Sequence, residues 1–451
     1  MQHNESFVKG SVLKALLYFS LPVFFARLLQ VLYSSTGLFI LGNFSTTADA
    51  SGAATANLII LLVTLGVFGL GSGLTVVIGQ YCGAGKEDDA ADTIGASIVF
   101  FLIFSAVVTV VLFFITDPLI KLMNTPESAI IPARNYLRIS SLGVFFLVGY
   151  NVVGNICRAL GNAKAHLIFV AVAFVVNIGL SLLFISAFDM GAAGAALALV
   201  IAQGVSFFFA IIYLWKKGLG FKFTRKNIKY NSLHMNKMLK VGVPLALQEL
   251  LIMGSFMFIT AVINKIGVNE SAAVGFVEQL VSFLMMPATS IASAVSAMSA
   301  HNIGAQEYAR AKKCMWYGIF ASLAVSVICV VFCWFKGDLL VALFTKDKDV
   351  IAQGFLYLKS YAIDCLFISF VFVMNGYFAS CNHSLFAMAH SVATTILMRV
   401  PITAIFAAWT GATLFHMGLA APISSVGSIV ICMIFLRRLA KKPAPTALET
   451  A

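Results

Sequence analysis

Long apolar segments separated by short polar ones make up most of the chain. Twelve of them have about 20 residues or more, enough for a helix to cross the hydrocarbon core of a bilayer. These segments lie near residues 12–41, 51–80, 93–115, 135–157, 166–187, 191–215, 237–264, 270–300, 313–335, 355–379, 386–409 and 417–436. The pattern predicts an all-α polytopic membrane protein with twelve transmembrane helices, numbered here as spans 1 to 12.

The twelve segments form two sets of six that match each other in order. The turn "VIGQYCGAGK" after span 2 corresponds to "MSAHNIGAQE" after span 8, and Pro22 of span 1 corresponds to Pro244 of span 7. Because six is an even number, both repeats run in the same direction and are related by an axis along the membrane normal. We therefore expect two pseudo-symmetric six-helix lobes with a binding cavity at their interface.

The longest polar segment, at 216–236, separates the two sets. It contains six Lys and Arg residues and no acidic residue. The sequence therefore predicts an N-lobe at 1–215 with spans 1–6 and a basic cytoplasmic linker at 216–236. It predicts a C-lobe at 237–436 with spans 7–12, followed by a cytoplasmic tail at 437–451.

Positive residues are distributed unevenly over the two sides of the predicted membrane. If the N-terminus is inside, the inner loops and tails hold 20 of the 30 Lys and Arg residues, the outer loops hold 8, and 2 lie within spans. Cytoplasmic loops carry the excess of Lys and Arg in membrane proteins. We expect a multi-pass protein of the inner (cytoplasmic) membrane with both termini in the cytoplasm.

Composition and charge narrow the functional class. Hydrophobic residues make up 60% of the chain and charged ones only 11%, which is too few to cover a soluble protein of this length. The net charge of +12 lies in the loops between apolar segments, so we expect the lipid bilayer and no nucleic acid as a partner. The eight cysteines are scattered without a C-x-x-C motif, which is typical of packing residues.

Glycines at 68–73, in "FGLGSG", predict an interruption in the middle of span 2 and no phosphate loop. A Walker-type motif, G-x-x-x-x-G-K-S/T, occurs nowhere in the sequence. We therefore expect a transporter driven by an ion gradient, not an enzyme, with no cofactor beyond Na+ or H+ as the coupling ion.

Several segments taken together resemble the multidrug and toxic compound extrusion (MATE) family. They include "VIGQYCGAGK", "ICRALGNAKAHLIF", "MGAAGAALALVIAQ", "AAVGFVEQLVSFLMMPA" and "LMRVPITAIF", and the resemblance covers essentially the whole chain. It implies a monomeric secondary antiporter whose two lobes form a V. Such antiporters expel organic, mostly cationic amphipathic compounds in exchange for inward Na+ or H+.

The N-lobe departs from the pattern of this family. Many relatives carry an Asp near the outer end of span 1 and Leu-Asp-Pro in span 5, where this chain has Gly37 and the triplet at 180–182, Leu-Ser-Leu. A proton-coupling mechanism that depends on N-lobe acids therefore cannot be transferred to this chain.

Three acidic residues lie well within spans, all in the C-lobe: Glu249, Glu278 and Asp364. A charge at the centre of a membrane helix costs about 2.5–3.5 kcal/mol on insertion scales, so each is a candidate functional residue. Carboxylates that converge repel one another, and a cation relieves that repulsion. We expect the three to bind the coupling ion, with Glu249 and Asp364 as the ligands if that ion is Na+.

The alternative for each acid is an ion pair with an arginine that only holds helices together. Arg27 and Arg399 also lie within spans, which makes such pairs possible. Resemblance favours coupling, because relatives with Na+ coupling place cation ligands in the helices that contain Glu249 and Asp364. Arg27 is the expected gate, neutralising a C-lobe acid in one conformation, or else a residue that reaches towards the membrane surface. Arg399 is expected to brace span 11.

Amides and thioethers supply the candidate substrate contacts. Asn375 lies on the helical face of Asp364, and flexible methionines suit ligands of many shapes. The full set of expected contacts is Asn375, Met253, Met285, Asn177 and Asn151. Packing between helices is the alternative for each of them.

Two other functions compete with export of organic cations. A lipid-linked oligosaccharide flippase shares the lobe arrangement, but it should carry several basic residues within its helices, and only Arg27 and Arg399 are predicted there. A channel or signalling receptor is disfavoured by the complete duplication and by the three acids within spans.

Overall fold

The computed structural model describes residues 7–263, 267–409, 411 and 413–440, and every regular element in these residues is helical. The first half contains α1 (Val12–Phe44), α2 (Thr47–Gly83), α3 (Glu87–Leu122), α4 (Ile130–Leu142), α5 (Val144–Ala159), α6 (Ala163–Ser181) and α7 (Gly191–Lys217). A π-helical turn, Leu182–Ala187, extends α6. Short 3-10 turns lie at Glu127–Ala129 and Arg225–Asn227.

The second half repeats this order. It contains α8 (Ser232–Ile263), α9 (Val268–Gly304), α10 (Tyr308–Val341), α11 (Lys348–Ala362), α12 (Asp364–Ser380), α13 (Ser384–Thr394), α14 (Val400–Ala408), α15 (Leu414–Gly418) and α16 (Ala420–Ala440). A π-helical turn, Thr395–Arg399, joins α13 to α14.

Ten helical segments of the described chain are long and apolar enough to cross a membrane, and two bent pairs raise this number to twelve. Each pair is the fourth span of its half. Glu127–Leu142 meets Val144–Ala159 at 50°, and Lys348–Ala362 meets Asp364–Ser380 at 43°. The predicted all-α fold of twelve spans in two six-helix repeats is therefore confirmed.

Residue contacts divide the chain into two compact units. Unit 1 contains Leu21–Gly242, and unit 2 contains 7–20 together with the described residues after Gly242. The first part of α1 thus packs within unit 2, and the first part of α8 packs within unit 1. The lobe boundaries at 215 and 237 are defined by the sequence repeats, whereas the two units are defined by residue contacts. The lobe boundaries therefore stay predictions.

The predicted interruption of span 2 is wrong, since α2 runs unbroken from Thr47 to Gly83. Its glycines allow close packing instead. A Cβ on Gly73 would lie 2.5 Å from the amide nitrogen of Gly242 and 2.6 Å from the carbonyl oxygen of Met238. Small residues let membrane helices approach in this way. In unit 1 the backbones of α2 and the first part of α8 are therefore in contact.

Polar clusters fix the segment before α8 within unit 1. The side chain of Asn227 donates to Asp92 at 2.8 Å, and a ring nitrogen of His234 lies 3.1 Å from the hydroxyl of Thr93. The other ring nitrogen of His234 lies 3.7 Å from Asp89. The end of the basic linker is thus attached to the first turns of α3.

An equivalent cluster fixes the segment before α1 within unit 2. Arg310 donates to the carbonyl oxygens of Phe7, Lys9 and Gly10 at 3.1, 3.1 and 2.9 Å. Asn302 donates to Phe7 at 3.1 Å as well. One guanidinium and one amide thus satisfy carbonyl groups that precede the first helix.

Candidate functional site

Two carboxylates and one guanidinium form a charged group inside unit 2. Arg399 ends the π-helical turn before α14, and its charge acts on both Glu278 and Asp364. It donates to the hydroxyl of Tyr361 at 2.5 Å, and its Cζ lies 4.3 Å from the ring centroid of Phe256. No ion pair within 4.0 Å joins Arg399 to either carboxylate. The guanidinium is therefore held by aromatic groups near both acids.

The bend in the tenth span explains the position of Asp364. The helix breaks between α11 and α12, so Asp364 lies in the first turn of a new helix. The N-terminal end of a helix carries partial positive charge, which stabilises a carboxylate there. Asp364 is 1% exposed, and the side chain of Ser425 of α16 lies close to it. Its Oδ1 is buried without a hydrogen-bond partner in the described structure.

Glu278 lies on α9 in an apolar environment. Its Oε2 accepts a hydrogen bond from Thr260 of α8 at 3.3 Å, while Oε1 is buried with no partner among the described residues. Val274 and Val277 of the same helix belong to an apolar core of unit 2, as does Tyr357, on whose side chain the charge of Glu278 acts. A buried carboxylate oxygen without a hydrogen-bond partner costs free energy. Oε1 of Glu278 can therefore accept a hydrogen bond from a further donor or bind a cation.

The three charges do not balance. When both carboxylates are ionised, Arg399 sets one positive charge against two negative ones. One proton or one monovalent cation would complete the balance at Glu278 or Asp364, as buried charges require. The described residues contain no group of three or more His, Cys, Asp and Glu side chains arranged for a metal ion.

Glu249 and the two candidate methionines also lie in unit 2. Glu249 is half-buried on α8, with Met253 one turn further along the helix. Met285 of α9 packs against the apolar core. The charge of Arg399 acts on Glu278 and on Asp364, so the structure places these two of the three predicted acids near the same arginine.

Asn375 has both ends of its amide engaged inside unit 2. Its Nδ2 donates to Ser391 at 3.0 Å, and its Oδ1 lies 2.7 Å from Nε2 of His390. Nδ1 of His390 lies 3.0 Å from the hydroxyl of Ser428. This network joins α12, α13 and α16, and it supports the packing alternative for Asn375. The role of Asn375 in substrate contact stays a prediction.

The remaining predicted residues lie in unit 1. Asn151 donates to the carbonyl oxygen of Leu147 at 2.8 Å. Asn177 is 2% exposed, and its Oδ1 is buried without a partner in the described structure. Arg27 lies on α1 with its Cζ 4.5 Å from the ring centroid of Phe68. Substrate contact by the two asparagines and gating by Arg27 stay predictions.

Sequence reasoning missed Tyr361 and Arg158. Tyr357, Tyr361 and Asp364 recur at helical spacing and share one face, a signal that could have linked the tyrosine to the acid. Arg158 follows the predicted end of span 4 and counts as a loop residue in the sequence pattern, yet it is only 4% exposed. A hydropathy pattern reports where a helix ends, but it does not show that a terminal arginine folds back into the protein.

Comparison with known proteins places this arrangement in a family. A family model described as MatE matches residues 22–183 and 244–405, once in each repeat. The probable multidrug resistance protein YpnP of Bacillus subtilis is 33% identical over 411 residues, covering 90% of this chain and 91% of that protein. The multidrug export protein MepA of Staphylococcus aureus (strain MSSA476) is 24% identical, covering 82% of each chain.

Solved structures share the fold across nearly the whole chain. An outward-facing multidrug resistance MATE family transporter of the MOP superfamily superimposes with a TM-score of 0.92 at 20% identity, covering 98% of this chain and 99% of that one. A MOP superfamily transporter from Pyrococcus furiosus gives a TM-score of 0.92 at 19% identity, with the same coverage. At this identity the likeness establishes the fold.

Proposed function

Because the chain belongs to the MatE family of membrane transporters, we propose that it exports organic, mostly cationic amphipathic compounds in exchange for Na+ or H+. Relatives named for multidrug resistance and multidrug export support this substrate class. Parallel six-helix repeats are suited to alternating access, in which a site opens to each side of the membrane in turn.

The coupling ion is proposed to bind at the C-lobe carboxylates, with Glu278 and Asp364 as the pair and Glu249 as a third acid in the same unit. The observation that carries this proposal is the charge imbalance around Arg399. Both carboxylates hold a buried oxygen without a hydrogen-bond partner in the described chain. A proton or Na+ supplies the missing positive charge, and the hydroxyl of Thr260 or Ser425 adds an oxygen ligand.

Exchange follows from competition for this negative charge. A cationic substrate and the coupling ion each neutralise the carboxylates, so binding of one lowers the affinity for the other. Arg399 already balances one of the two negative charges, so the site lacks only one positive charge. The site therefore favours monovalent cations and releases them when a second positive charge arrives.

The substrate is proposed to lie along the aromatic and thioether side chains of unit 2, with Met253 and Met285 among its contacts. Thioethers adapt to ligands of different shape, and aromatic faces attract cations. The protein is further proposed to work as a monomer in the cell membrane with both termini in the cytoplasm. The excess of Lys and Arg on that side supports the orientation.

Ethidium efflux from proteoliposomes tests this function. An imposed Na+ gradient and an imposed pH gradient are applied separately to the wild type and to Asp364→Asn, Glu278→Gln and Glu249→Gln. We expect efflux under one of the two gradients, and a loss of at least tenfold in Asp364→Asn and Glu278→Gln. Asp349→Asn removes an exposed acid of the same unit and serves as the matched control.

Two results would overturn the proposal. If the wild type moves no ethidium under either gradient, the chain is not an exporter of organic cations. If the wild type is active and both Asp364→Asn and Glu278→Gln match the Asp349→Asn control, the carboxylates hold helices together and the coupling ion binds elsewhere.

A further inference from the structure

A basic patch lies on the surface of unit 1, in the linker between α7 and α8. It consists of six exposed side chains and is named here the linker patch: Lys216, Lys217, Lys222, Arg225, Lys226 and Lys229. No acidic residue occurs from 216 to 236. In the described structure only Lys229 of this patch forms an ion pair within 4.0 Å, with Asp92 at 3.7 Å. The other five positive charges therefore have no acidic partner among the described residues.

The linker is held against α3. A Cβ on Gly95 would overlap the carbonyl oxygen of Asn227, so the two backbones are in contact. The side-chain oxygen of Asn227 accepts hydrogen bonds from the amide and the hydroxyl of Thr224 at 2.9 and 3.0 Å, which closes a 3-10 turn. Arg225 and Lys226 are therefore the exposed residues of a turn whose backbone is held in place.

Exposed aromatic side chains flank the linker patch at both ends. Trp215, in the last turn of α7, is 83% exposed, and Tyr230, two residues before α8, is 66% exposed. Both helices are long and apolar enough to cross a membrane. Tryptophan and tyrosine at the ends of membrane spans are enriched at the level of the lipid headgroups. The charges between these two rings therefore lie at the same level as the phosphate groups of the lipids.

Charge and exposed apolar surface together discriminate between partners. A soluble polyanion would account for the basic residues, but not for the exposed rings of Trp215 and Tyr230 or for the exposed Ile228 between them. A neutral lipid surface would account for the apolar side chains alone. An anionic lipid surface accounts for both, because it attracts basic residues next to a span while aromatic side chains insert among the headgroups.

We propose that the linker patch binds the phosphate groups of anionic phospholipids at the membrane surface, with Trp215 and Tyr230 inserted among the headgroups. Lys and Arg side chains form charge-assisted hydrogen bonds with phosphate oxygens. The bound lipid lies at the covalent connection between the two sequence repeats. This inference goes beyond the proposed export function and does not depend on it.

Quenching of Trp215 fluorescence by spin-labelled lipids tests the inference. A reporter protein keeps Trp215 and carries Trp316→Phe, Trp334→Phe and Trp409→Phe, which replace the other three tryptophans. It is placed in nanodiscs that contain either phosphatidylcholine or phosphatidylglycerol with a doxyl group on the acyl chain next to the headgroup. We expect Trp215 to prefer phosphatidylglycerol by at least threefold. If the reporter does not fold, the difference between the wild type and Trp215→Phe measures the same preference.

The decisive variant is Lys216→Gln with Lys217→Gln, which should abolish the preference at Trp215. Lys216→Arg with Lys217→Arg keeps both charges and should keep the preference. The matched control is Arg437→Gln with Arg438→Gln. These arginines are exposed neighbours in the last turn of α16, as Lys216 and Lys217 are in the last turn of α7, but they belong to unit 2. We expect this control to leave the preference at Trp215 unchanged.

A second reporter measures lipid binding at the other end of the linker patch. It carries Tyr230→Trp, and Trp215 is replaced by phenylalanine together with the other three tryptophans. Arg225→Gln with Lys226→Gln should lower its preference for phosphatidylglycerol at least threefold. Lys229→Gln is the control, because this lysine already has an acidic partner. Equal preferences in the two variants would overturn the inference for the turn that contains Arg225.

Three results would overturn the inference as a whole. The first is equal quenching of Trp215 by the two lipids in the reporter protein. The second is the same preference in Lys216→Gln with Lys217→Gln as in Arg437→Gln with Arg438→Gln. The third is a preference that persists in about 1 M NaCl, where charges more than roughly 3 Å apart are screened, because charge would then not select the lipid.

Discussion

Gly73→Ala tests the close contact between α2 and α8 within unit 1. The added Cβ would lie 2.5 Å from the nitrogen and 2.6 Å from the Cα of Gly242, and 2.6 Å from the carbonyl oxygen of Met238. All three atoms belong to the backbone, so no side-chain rotation can relieve the overlap. Ordinary contacts of a Cβ begin at 3.4 Å, so the two helices must separate locally by about 1 Å.

The size of the effect follows from two opposing contributions. Overpacking of a dense contact costs about 1–3 kcal/mol. Replacing glycine by alanine within a helix stabilises the helix by up to about 1 kcal/mol. Because separation also weakens the neighbouring contacts along both helices, we expect a net loss of roughly 1–2 kcal/mol in the free energy of unfolding.

Gly66→Ala is the matched control on the same helix, because a Cβ there meets no atom within 4 Å. Thermal unfolding of the purified variants in detergent is measured by intrinsic fluorescence. The midpoint should fall for Gly73→Ala and stay level or rise for Gly66→Ala. Equal midpoints for the two variants would refute the close approach of α2 and α8.

Three further substitutions probe other contacts. Arg310→Gln should speed proteolysis near Phe7 severalfold in a limited digest, because it removes charge-assisted hydrogen bonds to the segment before α1. Asp49→Asn should lower the free energy of unfolding by about 1 kcal/mol, because the carboxylate accepts a hydrogen bond from the amide of Ala192 at the start of α7. Asn375→Ala should lower it by about 1–3 kcal/mol, because buried partners lose their hydrogen bonds.

Each of these has an outcome that contradicts it. Unchanged digestion of Arg310→Gln would mean that other contacts hold the segment. If the unfolding midpoint of Asp49→Asn equals that of the wild type, the amide of Ala192 at the start of α7 needs no charged acceptor. If Asn375→Ala keeps its stability while the KM for ethidium rises severalfold, the amide contacts substrate.

The number and order of the spans could be read from the sequence, because twenty apolar residues in a row have few alternatives to a membrane helix. The bend before Asp364 could not, since neither a proline nor a glycine lies next to Ile363 to mark a kink. That bend determines where the carboxylate lies. The sequence thus identifies which acidic residues of unit 2 lie within spans. Their position relative to Arg399 depends on helix geometry, which the sequence does not show.

The glycines of α2 show a second limit of sequence reading. A run of glycines predicts a weak point when each residue is considered by itself. In the folded chain Gly71 accommodates the side chain of Asn155, and Gly73 accommodates the backbone of α8. The helix stays continuous because neighbouring elements fill the space that the missing side chains leave.

The assignment of the first part of each repeat to the opposite unit has a consequence for biosynthesis. The carbonyl of Phe7 is bound by Asn302 and Arg310, which follow it by 295 and 303 residues. At 5–20 residues per second, a ribosome needs roughly 15–60 s to produce these partners. Unit 1 in turn is completed only when the first turns of α8 emerge. Neither unit of the nascent chain can therefore fold completely before synthesis of the second half has begun. Membrane chaperones would have to shield the segment at Phe7 until its partners in the second half have been synthesised.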